Sequence, residues 1–200
     1  MTAAPAMIRR LDPMASQAVF RCLLNALSRP GSVHKLPTAD APVPGPAASL
    51  GALIVPLGLA DVDTTVAVVD DEAAAEEVCR ATGAAAAPAD SADLVALRQP
   101  VEAATISRLT RGSALAPEGG AKVGIDCTCL HAGRAGGVTL TLSGPGVPHS
   151  KLLGVDGLTA ETLGAVAHAQ ADRPAGIDVW LIDERGQVAG LPRSCRIGVS

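Results

Sequence analysis

The chain contains no tyrosine, and Phe20 and Trp180 are its only large aromatic residues. The stacking platforms on which single-stranded nucleic acid is held therefore cannot be assembled from it. It also lacks a surplus of charge. Sixteen basic residues stand against 20 acidic ones, for a formal charge of -4, which provides no field to gather polyanions or acidic membranes. Long apolar runs are missing too. The longest, Ala47–Ala60, is too short to span a bilayer, contains Pro56 and ends at Asp61, which points to a buried element and no membrane segment. Arg9 and Arg10 are not followed by the apolar stretch of a signal peptide, so secretion is not expected. Cysteine is scarce and odd in number. Cys22, Cys79, Cys127, Cys129 and Cys195 in a chain of 200 residues read as reduced thiols of a cytoplasmic protein, not as a disulfide framework.

What is present is apolar surface. A hydrophobic content of 48 % supplies one sizeable core, so residues 1–200 are read as one domain. Asp12 before Pro13 has the form of a helix start, and Val19, Cys22, Leu23, Ala26 and Leu27 follow on one helical face until Pro30-Gly31. Residues 37–48 carry Pro37, Pro42, Pro44 and Pro46 and predict an extended surface connection. The run Ser49–Ala60 predicts a buried helix bent or ended near Pro56. Thr65–Val69 predicts an inner strand and Asp71–Arg80 a solvated surface helix. Ala81–Ala92 offers mainly methyl groups to bury and is expected to be mobile.

Further along, Leu94–Leu97 predicts a short strand, Val101–Leu109 a short helix and Arg111–Ala121 a loop. Ala121, Val123, Ile125, Cys127 and Cys129 alternate with polar neighbours, as do Val138, Leu140 and Leu142, and Gly133, Gly136 and Gly137 lie between. That pattern predicts an antiparallel pair. A helix over Thr159–Ala171 precedes a second hairpin, Ile177–Ile182 and Val188–Leu191 about the turn Asp183–Gly186. Together these elements predict an α/β protein with a mixed β-sheet covered by helices on both faces.

Candidate chemistry is sparse. Cys127, Cys129 and His131 fall at i, i+2 and i+4, so on a strand they would share a face. Same-face residues sit about 6.6 Å apart along a strand, too far for two sulfurs each about 2.3 Å from one zinc ion; small buried cysteines explain the pattern more simply, and no metal is expected. Gly112, Gly119, Gly120, Gly144 and Gly146, with Arg111, Arg134, Arg173 or Arg193 nearby, have the chemistry of backbone nests for phosphate oxygens. Simple turns account for them better. Lys122 stands two residues after Gly120 and is followed by Val123, so the G-x-x-x-x-G-K-[ST] order of a nucleotide-binding P-loop is absent. Ser113 or Ser143 with His149 and Asp178 lacks the G-x-S-x-G elbow of a hydrolase. Lys151 has the amine that would capture pyridoxal phosphate, but a solvated lysine is the simpler account.

Several punctuated stretches are specific in order and spacing. They are Phe20-Arg21-Cys22-Leu23-Leu24 running to Leu27-Ser28-Arg29-Pro30-Gly31, then Leu59-Ala60-Asp61-Val62-Asp63-Thr64, then Arg111-Gly112-Ser113-Ala114-Leu115-Ala116-Pro117-Glu118-Gly119-Gly120-Ala121. Leu142-Ser143-Gly144-Pro145-Gly146, Arg173-Pro174-Ala175-Gly176-Ile177-Asp178 and Leu191-Pro192-Arg193 complete the set. Over residues 20–196 the chain resembles the PhnH family, the H subunit of the carbon-phosphorus lyase core complex. The resemblance implies a fold similar to pyridoxal-phosphate-dependent transferases, without the cofactor or its lysine. It implies a subunit with no catalytic centre of its own that supports conversion of alkylphosphonate and nucleoside triphosphate to ribose 1-phosphonate 5-triphosphate. The implied partners are the other core subunits, or a second copy when alone. Expected contacts to partner or anion are Arg111, Ser113, Glu118, Gly144, Gly146, Arg173, Asp178 and Arg193. The competing expectations are a binding module for nucleotide or phosphonate, and a pyridoxal-phosphate enzyme.

Overall fold

Asp12 opens the first helix as its sequence suggests: its carboxylate accepts from the amides of Met14 and Ala15 at 3.0 and 2.9 Å, and Pro13 occupies the first helical position. This helix, α1 (Pro13–Ser28), buries Ala15, Val19, Leu23 and Ala26 along one stripe. It ends before Gly31, whose φ of +76° suits a residue without Cβ. In the computed structural model the described residues are 8, 10–37, 50–134 and 137–200. The proline-rich connection expected over 37–48 lies outside them after Pro37, as do Gly136 of the expected turn, the start of the apolar run before Leu50 and most of the N-terminal segment read for a signal.

The next elements are β1 (His34–Lys35), a 3-10 turn at Gly51–Leu53 that continues into α2 (Ile54–Leu59), β2 (Thr65–Val68), α3 (Glu72–Thr82), β3 (Ala85–Ala86), β4 (Leu94–Leu97) and α4 (Ala103–Arg108). The apolar helix runs through Pro56 and ends three residues later at Leu59. Pro56 sits in the first turn of α2, where a missing N–H costs nothing, and is buried with Ile54, Val55 and Leu57. The segment expected to be mobile, Ala81–Ala92, instead carries regular structure. Gly83 (φ +86°) caps α3 by donating to Cys79 O, β3 pairs in parallel with β2, and the methyl groups of Ala81, Ala84 and Ala92 are buried.

The remainder is β5 (Lys122–Cys127), β6 (Cys129–Ala132), β7 (Val138–Gly144), β8 (Val147–Asp156), α5 (Ala160–Ala169), β9 (Asp178–Asp183), β10 (Gln187–Leu191) and β11 (Arg196–Val199). Two sheets form where one was expected. The larger has the order β1-β10-β9-β5-β4-β2-β3, with β9 to β3 mutually parallel, β10 antiparallel to β9, and β1 antiparallel to β10; the smaller is antiparallel, β11-β7-β8-β6. The hairpin expected between residues 121–129 and 138–142 is therefore corrected. The chain leaves the large sheet at Thr128 and enters the small one, where β7 pairs with β8 and β11. The burial phase records the break, since Val123, Ile125 and Cys127 are buried and then Leu130, one residue out of step. The hairpin β9–β10 stands as expected, with Trp180 opposite Gly190.

Side chains alternate between the two faces of the large sheet. Val66, Val68, Leu94, Ala96, Trp180 and Ile182 pack under α1, α2 and α3. Val95, Leu97, Val123, Ile125, Val179 and Leu181 pack under α4, α5 and the small sheet. Gly190 permits the close approach of α1, because a Cβ there would strike the backbone of Ala26. Trp180 Nε1 donates to Leu23 O at 2.9 Å and locks the same contact. Among the described residues no helix is long and apolar enough to cross a membrane.

Candidate functional site

Strand order determines where an α/β sheet opens a crevice. From β2 the chain runs through α3 to β3 on one side, then returns to β4, β5 and β9 on the other, so the order reverses between β2 and β4. A crevice at the carboxyl ends of the strands flanking such a reversal is the usual binding place of this architecture. A cavity of about 360 Å³ lies there. Asp70 and Asp71 follow β2, Arg98 and Gln99 follow β4, Asp126 is the penultimate residue of β5, and Asp183 ends β9 just before Glu184. Each of these polar residues stands directly at the end of an apolar strand, a signal the sequence carried without the strand order needed to use it.

The crevice is acidic and braced from within. Arg98 Nη1 lies 2.9 Å from Asp71 Oδ2, and Arg98 Nε 3.9 Å from Asp126 Oδ2. Asp126 Oδ1 accepts from the Ala52 amide at 2.5 Å. Burial holds the Asp126 carboxyl above the usual aspartate range, against the opposing pull of the Ala52 N–H and Arg98. The Cys127 thiol is pushed strongly up, first by burial and then by the neighbouring acids Asp183 and Asp126. Asp183 is 1 % exposed; its Oδ1 accepts from Arg185 N and Gln187 N at 2.9 and 2.8 Å. The N-terminus of α3, the feature that would cradle a phosphate here, is already capped by Asp71 Oδ1 accepting from Ala74 N at 3.0 Å. Five carboxylates around one paired arginine leave an excess of negative charge at these strand ends.

The residues expected from the sequence to contact a partner or anion lie at the opposite, amino-terminal ends of the parallel strands, except for the turn carrying Gly144 and Gly146. Arg193 and Asp178 pair with each other: Nη2–Oδ2 is 2.6 Å, Nε–Oδ2 is 3.1 Å, and the Arg193 amide donates to Oδ1 at 2.8 Å. Only about a sixth of either side chain is exposed, 16 % and 17 %, so their first role is to tie the start of β9 to the loop after β10. Arg111 O accepts from Gly176 N at 2.8 Å, and Arg111 bridges to Gly120. A Cβ on Gly120 would collide with Gly176 O. Ser113 Oγ accepts from Ala116 N at 3.0 Å while Ser113 N donates to Ala116 O at 3.1 Å. This tight loop lifts Leu115 out to 98 % exposure. Glu118 is exposed, and its carbonyl accepts from Lys122 Nζ at 3.1 Å.

Gly144 (φ +124°) ends β7 with its Cβ position 3.1 Å from Ser194 O, and Gly146 (φ +77°) faces Ser28 O. Arg173 is exposed and donates to Gln170 O at 3.3 Å. The stretches quoted above thus form a chain of contacts, from Ser28 through Gly146, Gly144 and Ser194 to Arg193, Asp178, Gly176 and Arg111. Beside Lys122 and Asp178 this end also holds a largely apolar groove of about 400 Å³ walled by Phe20, Leu24, Leu27 and Leu59. Lys151, on β8, donates to Ser32 Oγ at 2.8 Å.

The sequence model of a family described as bacterial phosphonate metabolism protein (PhnH) matches residues 11–198. No curated protein matches the chain.

Proposed function

This chain belongs to the PhnH family of bacterial phosphonate metabolism proteins, and from that premise we propose that it is a docking subunit of the carbon-phosphorus lyase core complex. In this reading it supports conversion of alkylphosphonate and nucleoside triphosphate to ribose 1-phosphonate 5-triphosphate by holding companion subunits that carry the chemistry. The observation that carries the reading is Leu115, an apolar side chain held 98 % exposed by a loop whose base is hydrogen-bonded. A single exposed leucine is ordinary, but apolar surface gathered at one edge of a fold is what a partner can cover. The groove of Phe20, Leu24, Leu27 and Leu59 opens at the same amino-terminal edge of the sheet. Support of a second kind comes from charge, since the strand-end crevice that would otherwise serve a substrate is lined by acids and would repel these anions.

The tagged chain, co-expressed in the cytoplasm with the other core subunits, is expected to return them in fixed stoichiometry. Leu115→Asp is expected to abolish that recovery while leaving the melting temperature unchanged. Recovery of the wild-type chain alone, as a homodimer or otherwise, would sink the proposal. The kinship to cofactor-free relatives of pyridoxal-phosphate transferases belongs to the same reading. Borohydride reduction in the presence of pyridoxal phosphate is expected to leave Lys151 unmodified, and labelling of Lys151 would instead favour an enzyme.

A further inference from the structure

Cys129 and His131 leave β6 on one face, and Asp156 of β8 stands directly opposite Cys129 in the antiparallel register. The register gathers a mixed donor set: Cys129 Sγ, a ring nitrogen of His131 and a carboxylate oxygen of Asp156 all lie within 4.8 Å of one another. His131 Nε2 is 2.9 Å from Asp156 Oδ2. Asp156 Oδ1 accepts from the Gly137 amide at 2.9 Å, which fixes the carboxylate in place. All three residues are half-buried, so solvent ions reach them while the strands hold their backbones. The objection that two cysteines two apart on a strand cannot share one ion does not apply. Cys127 turns into the core of the large sheet at 2 % exposure, and its place is taken by a carboxylate from the neighbouring strand.

We propose that Cys129, His131 and Asp156 form a binding site for a zinc-class divalent cation, with water in the fourth position. A thiolate, an imidazole and a carboxylate are the ligand types that such a borderline ion takes, and three protein ligands leave one position open. Binding releases the Cys129 proton to solvent, takes the lone pair of neutral His131, and replaces the hydrogen bond between His131 and Asp156 with two bonds to the ion. Thiolate and carboxylate together neutralise the charge of the ion. Arg185 Nη2 lies 2.7 Å from Cys129 Sγ. It keeps a second set of acceptors, Asp183 Oδ2 at 3.3 Å and Gln187 Oε1 at 3.0 Å, so it can remain on the sulfur's outer side or withdraw without being left unpaired. Asp183 also accepts from the Leu130 amide at 3.2 Å and lines the acidic crevice, so the ion would pin β6 to β8 at the crevice wall. This inference does not rest on the docking role.

Cobalt(II) is the probe, added to reduced, chelator-stripped full-length protein. One equivalent is expected to bind with a near-ultraviolet thiolate-to-cobalt band and the visible bands of a tetrahedral site, both erased by one equivalent of zinc. Cys129→Ser is expected to abolish the thiolate band. His131→Gln and Asp156→Asn are each expected to weaken binding by more than the roughly 10–100-fold that follows loss of an outer hydrogen-bond partner. Cys79→Ser, on α3, is expected to leave the titration unchanged. A wild-type protein with no stoichiometric band overturns the proposal, and so does a band that survives Cys129→Ser. If Cys129→Ser fails to fold, as judged by circular dichroism, unchanged affinity in His131→Gln overturns it instead.

Discussion

The two ends of the parallel strands β2, β4, β5 and β9 are built from opposite materials. At the carboxyl ends, the strand termini and the short connections after them present Asp70, Asp71, Asp126, Asp183 and Glu184 around Arg98. At the amino ends, glycine-punctuated loops lock onto one another through Arg111, Gly176, Asp178 and Arg193, beside an apolar groove and the exposed Leu115. The difference teaches that distinctive sequence and expected chemistry need not coincide. The crevice is where this architecture ordinarily binds ligands, yet the most distinctive stretch, Arg111–Ala121, lies at the other end. Loops there are constrained by their contacts with one another, and a constrained loop is also a good presenter of an apolar tip.

The strongest way to break the comparison is to remove a member of the buried pair at the amino end. Asp178→Ala leaves the Arg193 guanidinium largely buried without its anion, and the expected loss is about 3 kcal/mol, the lower part of the range for severing a buried pair. Urea denaturation checks it; a loss below about 1 kcal/mol would show that the pair is merely a surface contact. For this reason Arg193 is a poor probe of docking, whereas charge reversal at exposed Arg173 tests a partner contact without unfolding the chain. Gly120→Ala comes next. Its Cβ would meet Gly176 O and sit 3.1 Å from Arg111 O, so the two loops must part, at an expected cost of about 2 kcal/mol in the same denaturation experiment. A neutral outcome would mean that the loops are not locked.

Much of the large sheet was legible because its signals are local. Asp12-Pro13 marked α1, the β-branched run marked β2, Leu94–Leu97 coincided with β4, and the turn Asp183–Gly186 separated β9 from β10. The small sheet was obscured because the early part of β8, Pro148 to Lys151, reads as loop, while the apolar alternation around Thr128 is continuous until register shows that its phase slips. The crevice was invisible for a different reason. Asp70, Arg98 and Asp126 become neighbours only through the order β5-β4-β2, which no local pattern encodes. Cys129 and His131 were seen, but Asp156, 25 residues beyond His131, joins them only through the pairing of β6 with β8.

A smaller effect sharpens the carboxyl end. Because burial raises the folded-state pKa of Asp126, the folded protein holds that proton more tightly than the unfolded chain. The resulting stability is fully present below the unfolded value, about 3.9, and is lost as pH rises through the raised folded value. Asp126→Asn keeps an oxygen for the Ala52 amide and removes the titration. The difference in urea midpoint between variant and wild type is therefore expected to move in favour of the variant as pH rises through that window. A difference that stays constant over the window would mean that Asp126 is solvated like an ordinary surface acid.

The smallest expected effect on folding is the one that separates the two ends most cleanly. Leu115 makes its tight turn with backbone and Ser113 groups alone, and at 98 % exposure it contributes almost no burial to the folded chain. Leu115→Ser is therefore expected to change stability by less than about 0.5 kcal/mol, while recovery of partner subunits falls sharply. Phe20→Ser, at 48 % exposure, removes part of the groove wall and is expected to lower both stability and recovery. If Leu115→Ser instead destabilises the isolated protein as much as Gly120→Ala, the leucine is covered within this chain's own assembly with a second copy. The amino end would then be a dimer contact before it is a docking face.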